Sequence, residues 1–253
     1  MEPIRVFVGG TAEHDLPTRV LEHSIRSRMA NPERLELRRL WDSKIPIPVP
    51  AAAQNRGRTT FSFHRFLIPE ECGFTGRAIY LDSDMIVFGD IADLFDRDFP
   101  PGVKVMSTTD TWQTAVLLID NTIGWRVADI VARLDAKELG YQHTMNLLFE
   151  AQMGRFARTI PAAWNHQDRK DETTKLLHFT AMAIQPWLTR EHHLAKVWEA
   201  ELRSALAAGA VTEADVAASL VNHWVRPSLA ELIGRTPDYF DSDFTFPHNR
   251  VAS

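Results

Sequence analysis

The N-terminal part of the chain constrains the fold most strongly, because it follows the pattern of a strand, a helix and a second strand. Ile4–Val8 is a run of β-favouring residues that stops at Gly9 and Gly10. Apolar residues then recur at helical spacing over 16–29, and 35–41 is strand-like again. A strand–helix–strand unit with a glycine turn after its first strand predicts a parallel sheet in an α/β domain.

The rest of the chain alternates strand-like and helix-like segments, with no internal repeat and no domain-sized change in composition. Alternating prolines over 45–50 exclude a helix. They predict a long loop that ends near Arg58 and is either a functional lid or disordered. An amphipathic pattern over 194–206 predicts a helix, and apolar residues that share one face predict shorter helices over 61–69 and 141–149. We therefore expect one α/β domain with a helical C-terminal appendage.

The composition is that of an ordinary globular protein and disfavours several classes of function. The 253 residues include 28 Lys and Arg against 33 Asp and Glu, a net charge of −5, which argues against a dedicated nucleic-acid-binding protein. Cys72 is the single cysteine, so no internal disulfide can form. No apolar run comes near the roughly 18 residues of a membrane-spanning helix, and the first residues do not resemble a signal peptide. We expect no transmembrane segment and a cytoplasmic location.

The most informative local pattern is an acidic pair, Asp82 and Asp84, that follows a hydrophobic strand over 78–81. Alternate residues of a strand point to one face, and open α/β sheets bind ligands at the carboxyl ends of their strands. Carboxylate oxygens suit Mg²⁺ or Mn²⁺, which often bridge nucleotide phosphates. Most acidic pairs are solvated turns or helix caps, and we expect a surface turn at the identical tripeptide 241–243, which follows no buried strand. The strand before Asp82 favours a metal site.

Two later features have both a structural and a functional interpretation. His178 ends the apolar run that begins at Leu176, where most histidines are hydrogen-bonded core residues, but its imidazole could also complete the metal site of the acidic pair. Trp164 and Asn165 could line a polar pocket, although a core tryptophan is the commoner case.

The segment RAIYLDSDMIVFGDIADLF, residues 77–95, resembles the D-x-D segment of glycosyltransferase family 8, whose members have the GT-A fold. Other segments resemble further motifs of that family in the same order along the chain: 4–11, 20–25, 63–70, 112–120, 141–149 and 177–187. The resemblance implies a Rossmann-like, mixed central sheet flanked by helices in a catalytic domain over 1–190. A helical extension with an irregular tail, 191–253, would pack on the same domain.

The resemblance also implies a function. Family members transfer a hexose from a nucleotide-sugar, most often a UDP-sugar, with retention of anomeric configuration, and the acceptor here would be an unknown glycan or small molecule. Asp82, Asp84 and His178 would bind Mn²⁺ or Mg²⁺. Gln142 matches the family residue placed beneath the reacting carbon. The residues implied in binding the nucleotide-sugar are Gly9, Gly10, Thr11, Arg65, Ser83, Gln113, Thr114 and Gln185.

Several positions depart from the family motifs. Tyr141 and His143 replace the carboxylates on either side of Gln142, and Gln185 replaces a lysine. An amide donates hydrogen bonds about half as strong as those of a charged group, so Gln185 would neutralise diphosphate charge poorly. The changes at Tyr141 and His143 favour an alternative, a non-catalytic nucleotide-sugar-binding protein.

A third alternative is a haloacid-dehalogenase-type phosphatase, in which the first Asp of a D-x-D pair is the nucleophile and the second a general acid. That fold usually carries its acidic pair on the first strand. Here a complete β-α-β pattern precedes Asp82, which disfavours the phosphatase.

Overall fold

The computed structural model describes residues 2–109 and 114–244. Within these residues the strands form a larger and a smaller sheet. The larger sheet contains β1 Ile4–Gly9, β2 Leu35–Arg39, β3 Arg77–Asp82, β5 Val105–Thr108, β6 Val116–Asp120 and β7 Phe156–Ile160. The smaller sheet contains β4 Met85–Val87, β8 His166–Gln167 and β9 Leu176–His178.

The larger sheet is mixed, with the spatial order β2–β1–β3–β6–β5–β7. β1 runs parallel to both β2 and β3, as the strand–helix–strand pattern predicted. β6 is antiparallel to β3 and to β5, and β7 is parallel to β5. The expected α/β class with a mixed, helix-flanked central sheet is confirmed.

Short and medium helices surround the sheets. The α-helices of the described residues are α1 Asp15–Arg26, α2 Ile68–Glu71, α3 Ala92–Phe95, α4 Val127–Asp135, α5 Tyr141–Met145, α6 Leu148–Gln152, α7 Ala195–Ala207 and α8 Glu213–Val221. None of the helices in the described part of the chain is long and apolar enough to cross a membrane.

Both faces of the larger sheet are buried, because successive side chains of a strand point in opposite directions. In β1, Val6 and Val8 join one apolar core, whereas Phe7 joins the core on the other face together with Tyr80. Every side chain over 78–81 in β3 is buried, which explains why its sequence is continuously apolar rather than alternating. The acidic pair therefore follows a strand at the centre of the protein.

The C-terminal helices pack on α1 through a third apolar cluster, which includes Leu16 of α1 together with Trp198 and Leu202 of α7. Arg226 is fully buried behind this cluster, where its Nε donates to the Pro186 carbonyl (3.0 Å) and its backbone N–H donates to the Trp187 carbonyl (2.8 Å). These contacts join the appendage to the segment that follows β9. The domain boundary at 190 stays a prediction.

Three local features differ from the sequence-based expectations. The helix expected over 141–149 is divided into α5 and α6, because Leu147 adopts a left-handed conformation with φ 55°. The helix expected over 61–69 is a 3-10 turn, His64–Leu67, followed by α2. The edge strand β7 was not anticipated, because it is mostly half-buried and has a partly polar sequence.

The proline-rich loop is held against the body of the protein. The Asn55 amide donates to the Leu134 carbonyl (3.2 Å), and the Ala51 N–H donates to the Asp135 carboxylate (2.9 Å). These bonds favour a fixed loop over a disordered one.

Candidate metal centre

The three side chains predicted as metal ligands meet at one place, although His178 is far from the other two in sequence. One ligand atom from each of Asp82, Asp84 and His178 lies within 4.8 Å of the other two. His178 Nε2 is 3.1 Å from Asp84 Oδ1. Two carboxylates and an imidazole in this arrangement form a possible divalent-cation site.

The junction between the two sheets produces this arrangement. β3 ends at Asp82 and β4 begins at Met85, so Asp84 lies in the turn between the larger and the smaller sheet. Met85 is paired with His178 in the antiparallel ladder of β4 and β9, and the Phe179 N–H donates to the Asp84 carbonyl (2.9 Å). Backbone pairing therefore brings Asp84 and His178 together.

Two buried amides contact the far sides of these ligands. Asn165 Oδ1 lies 2.9 Å from His178 Nδ1, and Asn165 is fully buried. The Gln185 amide donates to Asp84 Oδ2 (2.9 Å) and to the Phe179 carbonyl (3.0 Å). Each amide thus contacts one polar atom of a ligand and leaves the other polar atom facing the centre.

Asp82 has a different set of neighbours. The Tyr80 hydroxyl donates to Asp82 Oδ1 (2.6 Å), and the Arg65 guanidinium stacks 4.9 Å from the centre of the Tyr80 ring. Arg65 also donates from Nη1 to the carbonyl and the hydroxyl of Thr114. Its buried Nε has no hydrogen-bond partner among the described residues. The guanidinium therefore adds positive charge beside the acidic pair.

The electrostatics of the centre favour an added positive charge. Burial raises the pKa of Asp82, an effect that the charge of Arg65 opposes and that of Asp84 reinforces. Burial alone would lower the pKa of His178, but the nearby carboxylates of Asp84, Asp82 and Asp168 together outweigh burial and raise that pKa. Burial also raises the pKa of Tyr80, so its phenol stays a hydrogen-bond donor. A proton or a cation at the centre would relieve the mutual repulsion of the carboxylates.

The donor atoms fit a divalent cation. Asp84 Oδ1 is buried and accepts no hydrogen bond from any described residue, although it lies beside His178 Nε2. When His178 Nδ1–H donates to Asn165, the neutral ring presents its Nε2 lone pair to the centre. Mn²⁺ accepts imidazole and carboxylate ligands together, and Mg²⁺ accepts the carboxylates.

The glycine turn after β1 lies against the acidic segment. Gly9 is opposite Asp82 in the parallel pair of β1 and β3, and a Cβ atom at Gly9 would be 2.2 Å from the Tyr80 hydroxyl. A Cβ atom at Gly10 would be 3.2 Å from the Ser83 hydroxyl. Thr11 begins the next turn and donates from its N–H to His14 Nδ1 (3.2 Å). Three of the predicted nucleotide-sugar residues thus lie beside the acidic segment or within it, and a fourth follows them in the chain. The three are Gly9, Gly10 and Ser83, and the fourth is Thr11.

The remaining predicted residues occupy different positions. Thr114 is buried and joins Arg65 to α5, because its hydroxyl donates to the Met145 carbonyl (2.8 Å). Gln142 is exposed in the first turn of that helix. Gln113 lies outside the described residues. The binding and catalytic roles assigned to all of these side chains stay predictions.

Sequence reasoning did not identify Tyr80 as a neighbour of the acidic pair, and it gave Asn165 only a general role in a pocket. The signal for Tyr80 was available, because a residue two positions before Asp82 on a strand points to the same side. The contact of Asn165 with His178 crosses between 3-10 turn Ala162–Asn165 and β9, and no spacing rule predicts it.

Comparisons with known proteins relate the chain to glycosyltransferases. Residues 50–124 match the family model described as glycosyl transferase family 8, and this stretch contains Asp82 and Asp84. The chain is also 26% identical to Protein CDI of Arabidopsis thaliana over 246 residues, covering 79% of this chain and 86% of that protein.

Two solved glycosyltransferases share the fold. GlyE of Streptococcus pneumoniae TIGR4 superposes with a TM-score of 0.54 and 18% identity, covering 83% of this chain. The chain spans 64% of the length of GlyE. The galactosyltransferase LgtC, in complex with donor and acceptor sugar analogs, superposes with a TM-score of 0.53 and 12% identity, covering 79% of this chain and 96% of LgtC. At these identities the structural likeness shows the fold alone. The family match is separate and covers the segment that contains the acidic pair. The chain therefore has the GT-A fold of these glycosyltransferases, and its residues 50–124 are similar to glycosyl transferase family 8.

Proposed function

We propose that the protein transfers a hexose from a nucleotide-sugar, specifically a UDP-sugar, to a glycan or small-molecule acceptor with retention of configuration. The observation that carries this proposal is the meeting of Asp82, Asp84 and His178 within 4.8 Å beside the glycine turn after β1. A site for a divalent cation next to a close-packed backbone turn suits the diphosphate and nucleoside of one donor molecule.

Expulsion of a nucleoside diphosphate requires compensation of the negative charge that develops on the leaving group. A Mn²⁺ or Mg²⁺ ion held by Asp82, Asp84 and His178 would supply positive charge to that diphosphate. Arg65 adds a second positive charge in the same region, since its guanidinium lies over Tyr80 and its buried Nε lacks a partner among the described residues. Gly9 and Gly10 pack too closely on Tyr80 and Ser83 to carry side chains, so the donor's nucleoside would contact the backbone of this turn.

Gln142 would act on the sugar rather than on the diphosphate. An amide is a poor nucleophile, so it would not readily form a stable covalent intermediate. Its carbonyl dipole could stabilise an oxocarbenium-like centre instead. Its exposed position in the first turn of α5 leaves the side chain accessible to a substrate.

Nucleoside diphosphate release tests the proposal. The protein is incubated with Mn²⁺, a panel of nucleotide-sugars and a panel of sugar acceptors, and a parallel reaction contains EDTA. Release of UDP that depends on the metal supports the transferase. Tight donor binding without release across the acceptor panel contradicts it and supports a non-catalytic binding protein, the alternative that Tyr141 and His143 favour. Release of phosphate from a phosphorylated substrate without UDP release would support a phosphatase.

A further inference from the structure

We propose that Asn165 and Gln185 are positioning residues that pre-set His178 and Asp84 as metal ligands. The inference rests on the proposed function only in taking the centre to be a metal site. Neither residue reaches the centre itself. Each contacts the atom of a ligand that points away from it: His178 Nδ1 for Asn165, and Asp84 Oδ2 for Gln185.

Asn165 fixes the tautomer of His178. Its Oδ1 can only accept, so the hydrogen bond at 2.9 Å requires a proton on His178 Nδ1. Its Nδ2 points to the Thr108 hydroxyl at 3.4 Å, which holds the amide in this orientation. With the proton on Nδ1, the neutral imidazole presents a lone pair at Nε2, the atom that faces Asp84. The opposite tautomer would place a proton where a cation has to bind.

Gln185 fixes the orientation of Asp84. One amide group donates both to Asp84 Oδ2 and to the Phe179 carbonyl, so the carboxylate is tied to the backbone that follows His178. Asp84 then presents Oδ1, which accepts no hydrogen bond among the described residues. Gln185 is itself buried, and the residue after it, Pro186, is held by Arg226. The neutral donor orients Asp84 without contributing a charge that would compete with a cation.

Both amides therefore reduce the reorganisation that cation binding requires. Partners that orient metal ligands in this way typically contribute about 10–100-fold to metal affinity. The alternative is that both amides are satisfied core groups whose removal lowers stability without affecting the ligands.

The experiment measures Mn²⁺ affinity by electron paramagnetic resonance, without any sugar, for the wild type, Asn165→Leu and Gln185→Met. Both variants keep the size of the side chain and remove the hydrogen bond. The matched control is Asn121→Leu, because Asn121 is also fully buried, donates to the Thr75 carbonyl (3.0 Å), and lies at the opposite end of β3 from Asp82. We expect Mn²⁺ affinity to fall about 10–100-fold in the first two variants. We expect the control to lose thermal stability but not Mn²⁺ affinity. Folded variants that bind Mn²⁺ as the wild type does would overturn the proposal.

A spectroscopic measurement separates positioning from stability. In protein with ¹⁵N-labelled histidine, the His178 signals, assigned by their loss in His178→Gln, should report the Nδ1–H tautomer in the neutral ring. Asn165→Leu should shift the population toward Nε2–H, and Asn165→Asp, which keeps an acceptor oxygen, should restore Nδ1–H. An unchanged tautomer in folded Asn165→Leu contradicts the inference. If Asn165→Leu does not fold, an Nε2–H tautomer in folded Asn165→Asp contradicts it instead. These results do not depend on turnover, so wild-type protein that binds Mn²⁺ but releases no UDP would contradict only the proposed function.

Discussion

Gly9 lies directly opposite Asp82 in the parallel pair of β1 and β3, and the Tyr80 hydroxyl occupies the space beside it. The last residue of β1, which is buried, therefore contacts a predicted metal ligand through a tyrosine. Because the tyrosine ring is rigid, the Tyr80 hydroxyl cannot move aside easily to make space for a side chain at position 9.

Gly9→Ala should consequently disturb the metal centre. The new methyl group would come within 2.2 Å of the Tyr80 hydroxyl, which donates to Asp82 at 2.6 Å. We expect a loss of about 1–3 kcal/mol in unfolding free energy, the usual cost of overpacking a core. Weaker Mn²⁺ binding should accompany it. Denaturant unfolding and Mn²⁺ titration measure the two effects, and Gly140→Ala is the control because a methyl group there meets open space. Equal behaviour of the two variants would show that Gly9 does not act through Tyr80.

Asp82→Asn and Asp84→Asn should abolish metal-dependent donor binding while the fold remains. Each change removes a negative charge that a cation requires, and we expect a loss of more than about 100-fold in Mn²⁺ affinity, since even outer-shell changes cost about 10–100-fold. Asp243→Asn is the matched control, because Asp243 occupies the same place in an identical tripeptide but is exposed in 3-10 turn Asp241–Asp243. Calorimetric titration of Mn²⁺ with UDP measures the effect. A comparable loss of Mn²⁺ affinity in Asp243→Asn would show that the metal site was assigned to the wrong one of the two identical tripeptides.

UDP should stabilise the protein against heat only when a divalent cation is present. A ligand at about 100 times its Kd adds about 2.7 kcal/mol, which raises the Tm of a chain of this size by about 5–10 °C. Differential scanning calorimetry with UDP, with Mn²⁺ and with both together measures the dependence. Stabilisation by UDP in the presence of EDTA would mean that the diphosphate is bound without the metal. A response to another nucleotide, but not to UDP, would change only the donor class.

His64 should make the protein less stable in mild acid. Burial, with a smaller contribution from Arg65, lowers the pKa of His64 from 6.5 to about 4. Between these values the unfolded chain binds a proton that the folded protein does not, so the unfolding free energy falls as the pH drops from 6.5 to 4. The expected contribution is about 3 kcal/mol.

Urea unfolding at pH 7, 5 and 4 checks this for the wild type, His64→Gln and His64→Phe. Other groups titrate equally in all three proteins, so the difference between wild type and variants isolates His64. As the pH falls toward 4, the unfolding free energy of the wild type should decrease more than that of either variant. A difference that is independent of pH would show that His64 is protonated as readily in the folded protein as in the unfolded chain.

The sequence allowed prediction of the parts of the fold that depend on local pattern. The strand–helix–strand start, the buried strand before Asp82 and the apolar run before His178 all follow from residue spacing. The convergence of Asp82, Asp84 and His178 was inferred from chemistry and family resemblance, and the pairing of Met85 with His178 is its structural cause. That pairing joins distant segments and has no local signature.

The parts that could not be predicted depend on tertiary contacts or on single backbone angles. Asn165 is one of many polar residues in the sequence, and only the packing of its turn against β9 brings it to His178. The division of the helix over 141–149 depends on one left-handed residue, Leu147, whose type gives no warning of a positive φ. Edge strand β7 has too few buried side chains to produce a clear alternating pattern.

The hydrogen bonds from Arg226 to the carbonyls of Pro186 and Trp187 have a practical consequence for protein engineering. A shortened version that ends before α7 would remove the support behind Gln185. It would also uncover Trp187, whose ring lies 5.6 Å from that of Trp198 in the third apolar cluster. Such a truncation would disturb the candidate metal centre from a distance, so the appendage should be kept whenever the protein is shortened, fused or crystallised.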